Sequence, residues 1–157
     1  MTNSIIRFIN IILAAILAGV SFGIWIGFNP VNLSSATYVE QQQNMLHSLR
    51  MLMIALVVAA TLITFLSSYI QRNNTSARNA LLVAAAFFIV CIVITRFGIK
   101  PIDDKVINWV PSAIPDNWTT LRDKWRTLHI LRTIAELIAL CIVTWTSIDE
   151  RNKETHI

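Results

Sequence analysis

Charged residues are scarce in this sequence. Of its 157 residues, 13 are Lys or Arg and 9 are Asp or Glu, 14% in all, whereas 55% are hydrophobic. The mean hydropathy is +0.59. Soluble domains typically carry roughly a quarter of charged residues. The shortage of charge excludes an ordinary soluble domain and predicts an integral membrane protein in contact with the lipid bilayer.

Cysteines and basic clusters are equally sparse. The two cysteines, Cys91 and Cys141, lie within long hydrophobic runs and form no CxxC pattern. They are interpreted as small apolar packing residues, because the pattern does not support a disulfide. The net charge is only +4, and no spacing of Cys, Asp or Glu is typical of a metal site. We therefore expect neither a nucleic-acid partner nor a bound metal.

Four hydrophobic runs are each close to the roughly 20 residues that cross about 30 Å of hydrocarbon. We place these spans at residues 5–28, 49–70, 79–97 and 127–148. The first run is longer than the core of a secretory signal, about 7–15 residues, and it is expected to remain in the mature protein. The sequence thus predicts an all-α fold, a four-transmembrane-helix bundle formed by a single domain, residues 1–157.

The second and fourth helices are expected to extend beyond the bilayer on the same face. Thr37 and Glu40 fit a capping box, so that a helix can begin near Tyr38 and continue into the second span. A helix from about Trp118 to Ile148 is likewise too long for the bilayer at about 1.5 Å per residue. The segments outside the membrane would then form a cap on one face. They are residues 29–48 and 98–126.

The third span is expected to end at Gly98, a suitable C-terminal cap, with Pro101 soon after it. In the first span Ala15, Gly19 and Gly23 recur every fourth residue, and Gly27 continues the series. Small residues at this spacing let helix backbones approach closely in lipid. We expect this stripe to serve helix packing.

The distribution of basic residues bears on orientation. The face with both termini has five Lys or Arg residues and the capped face has seven, which by itself would place the cap in the cytoplasm. Acidic residues share the cap, however, so that its basic residues are expected to form ion pairs. The first helix usually dominates orientation, and it has Arg7 before it and no basic residue after it until Arg50. We expect both termini to be cytoplasmic.

The fourth span carries an unusual polar stripe. Trp125, His129, Arg132 and Glu136 are spaced four, three and four residues apart, which places them on one face of an α-helix. A charged side chain in mid-membrane costs about 2.5–3.5 kcal/mol, so the stripe must face the bundle or a wet cavity. It is either an internal ion pair that fastens the helix to its neighbours or a ligand-binding or catalytic site.

A second polar edge lies on the extension of the second helix. Its members are Glu40, Gln43, Asn44, His47 and Arg50. One interpretation is a solvated surface, and the other is that His47 approaches His129 across the mouth of the bundle. Thr95 and Arg96 of the third helix are expected to reach a similar depth.

Two segments, "TRFGIKPIDDKV" and "NWTTLRDKWRTLHILRT", resemble an integral membrane family that includes the fungal anthrone oxygenases. The family pattern has a Thr and then Pro-x-Asn at the end of the third helix, and W-x3-H-x2-R at the start of the fourth. The matching residues are Thr95, Pro101, Trp125, His129 and Arg132, and Asp103 stands where the family commonly has Asn. The stretch "WIGFNPVNLSSATYVEQQQ" also resembles a bacterial subgroup, which implies the bacterial inner membrane.

This resemblance implies a small membrane enzyme that oxygenates an aromatic or quinone-like molecule with O₂ and without a cofactor. His129 would be the base that removes a substrate proton. Arg132, with Arg96, would stabilise the developing oxyanion. The expected substrate-binding residues are Trp125, Arg96, Thr95, His47, Glu136 and Asp103.

Two other functions are compatible with the residues. His47 and His129 could ligate haem or a metal ion in a redox module. Alternatively, the protein is a noncatalytic membrane component, whose polar stripe binds a lipid, a small molecule or a partner subunit.

Overall fold

The computed structural model describes the backbone of residues 2–155 and the side chains of residues 3–148. Its long helices are α1 (Thr2–Gly27), α2 (Ser35–Ile70), α3 (Thr75–Val93) and α5 (Trp118–Thr155), with a short helix α4 (Lys100–Val106) before the last. A 3₁₀ turn, Pro30–Asn32, precedes α2, and a π-helical turn, Ile94–Ile99, joins α3 to α4. The described residues form no strand, and the predicted all-α class is confirmed.

Four helices are long and apolar enough to cross a membrane, as predicted. In their most apolar windows only 22–39% of the residues are buried inside the protein. Large hydrophobic side chains such as Phe8, Leu62 and Trp145 instead point outward, with exposed fractions of 64%, 64% and 73%. An apolar exterior of this kind is unfavourable in water and is matched to lipid, so the chain forms a membrane helical bundle.

The helix α2 is continuous over 36 residues. Its N-terminal cap is Ser34, whose Oγ accepts a hydrogen bond from the Thr37 backbone N–H at 3.3 Å. The predicted start near Tyr38, with Thr37 as the cap, was therefore wrong by one turn. Ser34 is preferred because its extended backbone aims the hydroxyl at the free N–H groups of the first turn.

Alanines bring the four long helices together. The helix α5 packs against α1 and α3, and α2 packs against the same two helices. The core between them contains Ala14, Ala60, Ala84 and Ala139, all with no exposed surface. Small side chains favour close packing in lipid, where the hydrophobic effect does not drive helices together. Cys91 lies in this core.

The third span does not end at Gly98, contrary to the prediction. The helix continues through the π turn, in which the Lys100 N–H donates to the Thr95 carbonyl, five residues back. Pro101 then falls in the first turn of α4, where its missing N–H costs little. A π turn commonly marks a functional segment, since one extra residue re-aims the side chains that follow it.

Gly98 serves packing instead of capping. A Cβ atom at this position would lie 2.9 Å from Cδ1 of Leu128 on α5, too close for ordinary contact. By contrast, a Cβ atom at Gly19, Gly23 or Gly27 would meet nothing within 4 Å. The small-residue stripe of α1 therefore does not mediate the close helix contact predicted for it within the chain.

We predict that Gly98→Val destabilises the protein, because the larger side chain cannot fit unless the Leu128 side chain shifts. Overpacking of this kind costs about 1–3 kcal/mol. Thermal unfolding of the detergent-solubilised protein is the measurement, and Gly19→Val is the matched control with free space around it. Adding Leu128→Ala to Gly98→Val should recover part of the loss. Equal unfolding temperatures of the Gly98→Val and Gly19→Val proteins would contradict the packing role.

Candidate functional site

A cavity lies between α1, α2, α5 and the segment from the π turn to α4. Its interior volume is about 90 Å³, and it opens to the outside on one side. Its walls are mostly aliphatic and include Leu17, Met53 and Val57. The polar and aromatic lining residues are Arg50, Thr95, Lys100, Asp103, Trp125, His129, Arg132 and Glu136.

The polar stripe of α5 faces this cavity along its whole length. Trp125, His129, Arg132 and Glu136 all line it, and their exposed fractions are 4%, 2%, 9% and 1%. The helical spacing of four, three and four residues produces this arrangement, because it keeps the four side chains on one face. The charged side chains of the stripe, Arg132 and Glu136, therefore face the cavity and do not contact lipid.

Trp125 is fixed from two sides. Its indole N–H donates to Asp103 Oδ1 at 2.9 Å, and the Gln42 amide reaches the same oxygen at 3.5 Å. The indole ring stacks on the His129 ring, with centroids 5.0 Å apart and planes inclined by 3°. Asp103 therefore orients Trp125, and Trp125 in turn covers one face of His129.

The hydrogen bonds of His129 define its tautomer. Nε2 lies 3.1 Å from the Ser21 carbonyl oxygen of α1, and since a carbonyl only accepts, Nε2 must carry a proton. Nδ1 lies 3.1 Å from Nη2 of Arg132, and since a guanidinium only donates, Nδ1 must accept. The imidazole is therefore neutral, and both of its nitrogens have partners.

The Arg132 guanidinium connects α5 to the π turn. Nη2 donates to His129, and Nη1 donates to Thr95 Oγ1 of the π turn at 3.4 Å. Nε lies 3.5 Å from Glu136 Oε1, an ion pair without a hydrogen bond. The predicted pairing of Arg132 with Glu136 is therefore present, but it leaves Nε and both carboxylate oxygens without hydrogen-bond partners.

Two further cations stand at the rim of the cavity. Arg50 Nη2 lies 2.6 Å from Oδ1 of Asp104, and Lys100 pairs with the other oxygen of the same carboxylate. Gln43 also donates to the carbonyls of Val106 and Trp109, at 2.9 and 2.8 Å. Polar residues of α2 therefore fasten this helix to α4 and the loop after it.

Two residues predicted for the site are not brought to it. His47 is exposed and does not line the cavity, so that it does not approach His129. Arg96 is also exposed, with its guanidinium 5.7 Å from the centroid of the Phe97 ring. Within the described residues, no three His, Cys, Asp or Glu side chains cluster in a way that could hold a metal ion. The haem or metal interpretation thus has no pair of histidines to support it.

Other residues of the site were missed from the sequence. Lys100 was not singled out, and Arg50 was placed in the polar edge of the second helix but not in the site, although the pairing of acidic and basic residues in this region was a usable signal. Ser21 contributes a backbone carbonyl to His129, and a backbone group leaves no trace in residue type. Gln42 falls between the positions of the predicted polar edge.

We predict that Asp103→Leu destabilises the site whereas Asp103→Asn is tolerated. Leucine leaves the buried indole N–H unpaired, at a cost of about 1–3 kcal/mol, while the Asn side-chain oxygen still accepts from it. Thermal unfolding of the two variants in detergent provides the comparison. Similar losses in both would show that the negative charge of Asp103, and not its hydrogen bond, is what the fold requires.

Comparison with known proteins places this geometry in a family. A family model described as anthrone oxygenase matches residues 43–142, a stretch that contains the polar and aromatic lining residues of the cavity. No curated protein and no solved structure matches the chain. Because the match extends over more than half of the sequence, the chain belongs to the anthrone oxygenase family.

Proposed function

We propose that this protein is a membrane oxygenase that acts on a small aromatic carbon acid of the anthrone type, bound between the helices. The observation that carries the proposal is the buried Arg132 guanidinium, held by His129 and Thr95 beside a cavity whose walls from α1 and α2 are mainly apolar. An arginine in this setting is suited to hold an oxyanion that forms during a reaction.

The chemistry requires little from the protein beyond that anion site. An anthrone loses a proton to give an enolate, whose charge is delocalised over the rings and whose electrons reduce O₂. In the net reaction the CH₂ group becomes a carbonyl and its two hydrogens leave as water with the second oxygen atom. The carbon loses four electrons and O₂ gains them. In our proposal the enolate is itself the reductant, and no bound cofactor takes part.

Arg132 stabilises the enolate oxygen. The aliphatic walls from α1 and α2 exclude water, and a charge–charge contact is stronger in such surroundings than in solvent. Trp125 offers an aromatic surface at the side of the site, where it can contact a flat ring system. The apolar substrate would reach the cavity from the membrane, in which it dissolves.

We assign His129 the task of positioning Arg132. The sequence pattern suggested that it is the base, but the only free electron pair of its neutral ring, on Nδ1, accepts from Arg132. It could take a substrate proton only after that contact breaks. Held between Ser21 and Arg132, the imidazole is better suited to fix the guanidinium in place.

We also propose that the protein lies in a bacterial inner membrane with both termini in the cytoplasm. Arg7 stands before the first span, and no basic residue follows that span until Arg50. We give the first span more weight than the seven basic residues of the opposite face, because the first helix usually dominates orientation. Two of those seven, Arg50 and Lys100, share the single carboxylate of Asp104.

Replacement of Arg132 and His129 tests the proposed roles. Arg132→Lys should lower kcat for anthrone oxidation by about 10²–10³, as for removal of an oxyanion donor. His129→Asn retains an oxygen that can accept from Arg132 and should keep more activity than His129→Ala, for which we expect a loss of about tenfold to a hundredfold. Oxygen uptake and anthraquinone formation in membranes are measured against membranes without the protein. Inactive but folded His129→Asn protein would favour a base, because an amide cannot take the proton.

Fusions at the C-terminus test the orientation. Green fluorescent protein attached after Ile157 should fluoresce in bacteria, whereas alkaline phosphatase at the same position should be inactive, because the fusion point is expected to be cytoplasmic. The opposite pattern would place the termini outside.

A further inference from the structure

Glu136 has the least satisfied buried charge in the cavity. Its side chain is 1% exposed and lines the cavity, and neither carboxylate oxygen has a hydrogen-bond partner. Arg132 Nε, 3.5 Å from Oε1, also lacks one. The Ser21 hydroxyl of α1 is close enough to the carboxylate to interact with it, although the two groups lie outside hydrogen-bonding geometry.

Burial of this carboxylate costs free energy unless another group donates hydrogen bonds to it. A carboxylate taken out of water without hydrogen-bond donors is strongly disfavoured, and an ion pair compensates fully only when hydrogen bonds satisfy the remaining lone pairs and protons. Here an acceptor group and a donor N–H lie side by side on the cavity wall as an ion pair, and neither has a hydrogen-bond partner. A group that both donates and accepts, such as a water molecule or a ligand hydroxyl, satisfies the two.

A hydroxyl group meets both requirements. It donates its hydrogen to Glu136 and accepts from Arg132 Nε with its oxygen. A ketone oxygen accepts but cannot donate to Glu136. A carboxylate is repelled by Glu136, and an ammonium group is repelled by Arg132. The apolar walls around the pair favour a hydroxyl attached to an aromatic or enolic carbon over a strongly hydrated one.

We propose that the cavity recognises hydroxyarenes, phenols or the enol tautomers of aromatic ketones, through a hydroxyl placed between Glu136 and Arg132, and that Glu136 takes the hydroxyl proton. The inference rests on the proposed function and specifies its first step. The O–H bond of the enol breaks, its electron pair stays on oxygen, and the proton forms the carboxylic acid of Glu136. The enolate that then reacts with O₂ is the same anion that removal of a C–H proton would give.

This transfer keeps the charge of the cavity constant. Before it, the anion beside Arg132 is the Glu136 carboxylate, and after it the anion is the substrate oxygen, in contact with the same guanidinium. No additional charge is created in the low-dielectric interior, so the cost of desolvation is not incurred a second time. Arg132, fixed by His129 and Thr95, need not move.

A pair of probes tests the proposal by binding. 2-Hydroxyanthraquinone absorbs at longer wavelength when its phenol is ionised, and 2-methoxyanthraquinone has nearly the same shape but no hydroxyl hydrogen. With the full-length protein in detergent, at a pH where the free phenol is neutral, we expect the hydroxyl probe to bind more tightly and with the absorption of its anion. Glu136→Gln should weaken its binding by about tenfold or more and abolish the spectral change. Glu40→Gln, at an exposed site on α2, is the control and should change neither.

The proposal is overturned if the two probes bind equally, or if the folded Glu136→Gln protein retains the affinity and the spectral change. Comparison of the probes on the unaltered protein decides the matter even if Glu136→Gln does not fold. Anthrone turnover is measured separately. If the protein ionises the probe in a Glu136-dependent way but does not oxidise anthrone, the proposed function is contradicted and the role of Glu136 is retained. If Glu136→Gln turns over anthrone at the normal rate, the role of Glu136 is contradicted and the proposed function is retained.

Discussion

A guanidinium among apolar helices is the constraint around which the rest of the site is arranged. Arg132 is 9% exposed, in a part of the chain that faces lipid on its other side, and a charge there is tolerated only with partners. Two partners come from α5 itself, Glu136 and His129, and the third, Thr95, comes from the π turn. The contact with Thr95 therefore connects this side chain to a second helical segment, while the other two hold it within α5.

His129, one of the partners of Arg132, is itself held in place by further contacts. The Ser21 carbonyl fixes the far side of His129, and the ring of Trp125 stacks upon it. Asp103 orients Trp125 through its indole N–H. A side chain of α4 is thus connected to the guanidinium on α5 by three successive direct contacts: a hydrogen bond, a ring stack and a second hydrogen bond. Rigidity of this kind allows an anion site to be formed before a ligand arrives.

The sequence predicted the features that depend on periodicity and hydropathy. Four apolar runs gave the four spans, and the spacing of Trp125, His129, Arg132 and Glu136 gave the face that lines the cavity. What it could not give depends on local hydrogen bonding. Gly98 and Pro101 are normally read as the end of a helix, yet the π turn carries the helix past both. His47 and Arg96 have the right residue types, but their angular positions direct them outward.

The π turn also sets how the residues after it are rotated about the helix axis relative to the residues before it. Each residue added to an α-helix turns everything after it by about 100°, and a π turn absorbs one such addition without breaking the rod. Thr95 lies inside the turn and Asp103 beyond it, yet both border the same cavity. If the same residues were wound as a regular α-helix without the wider turn, Asp103 would be rotated by about 100° out of phase with Trp125. The insertion, invisible to composition, sets the angular register on which the whole site is assembled.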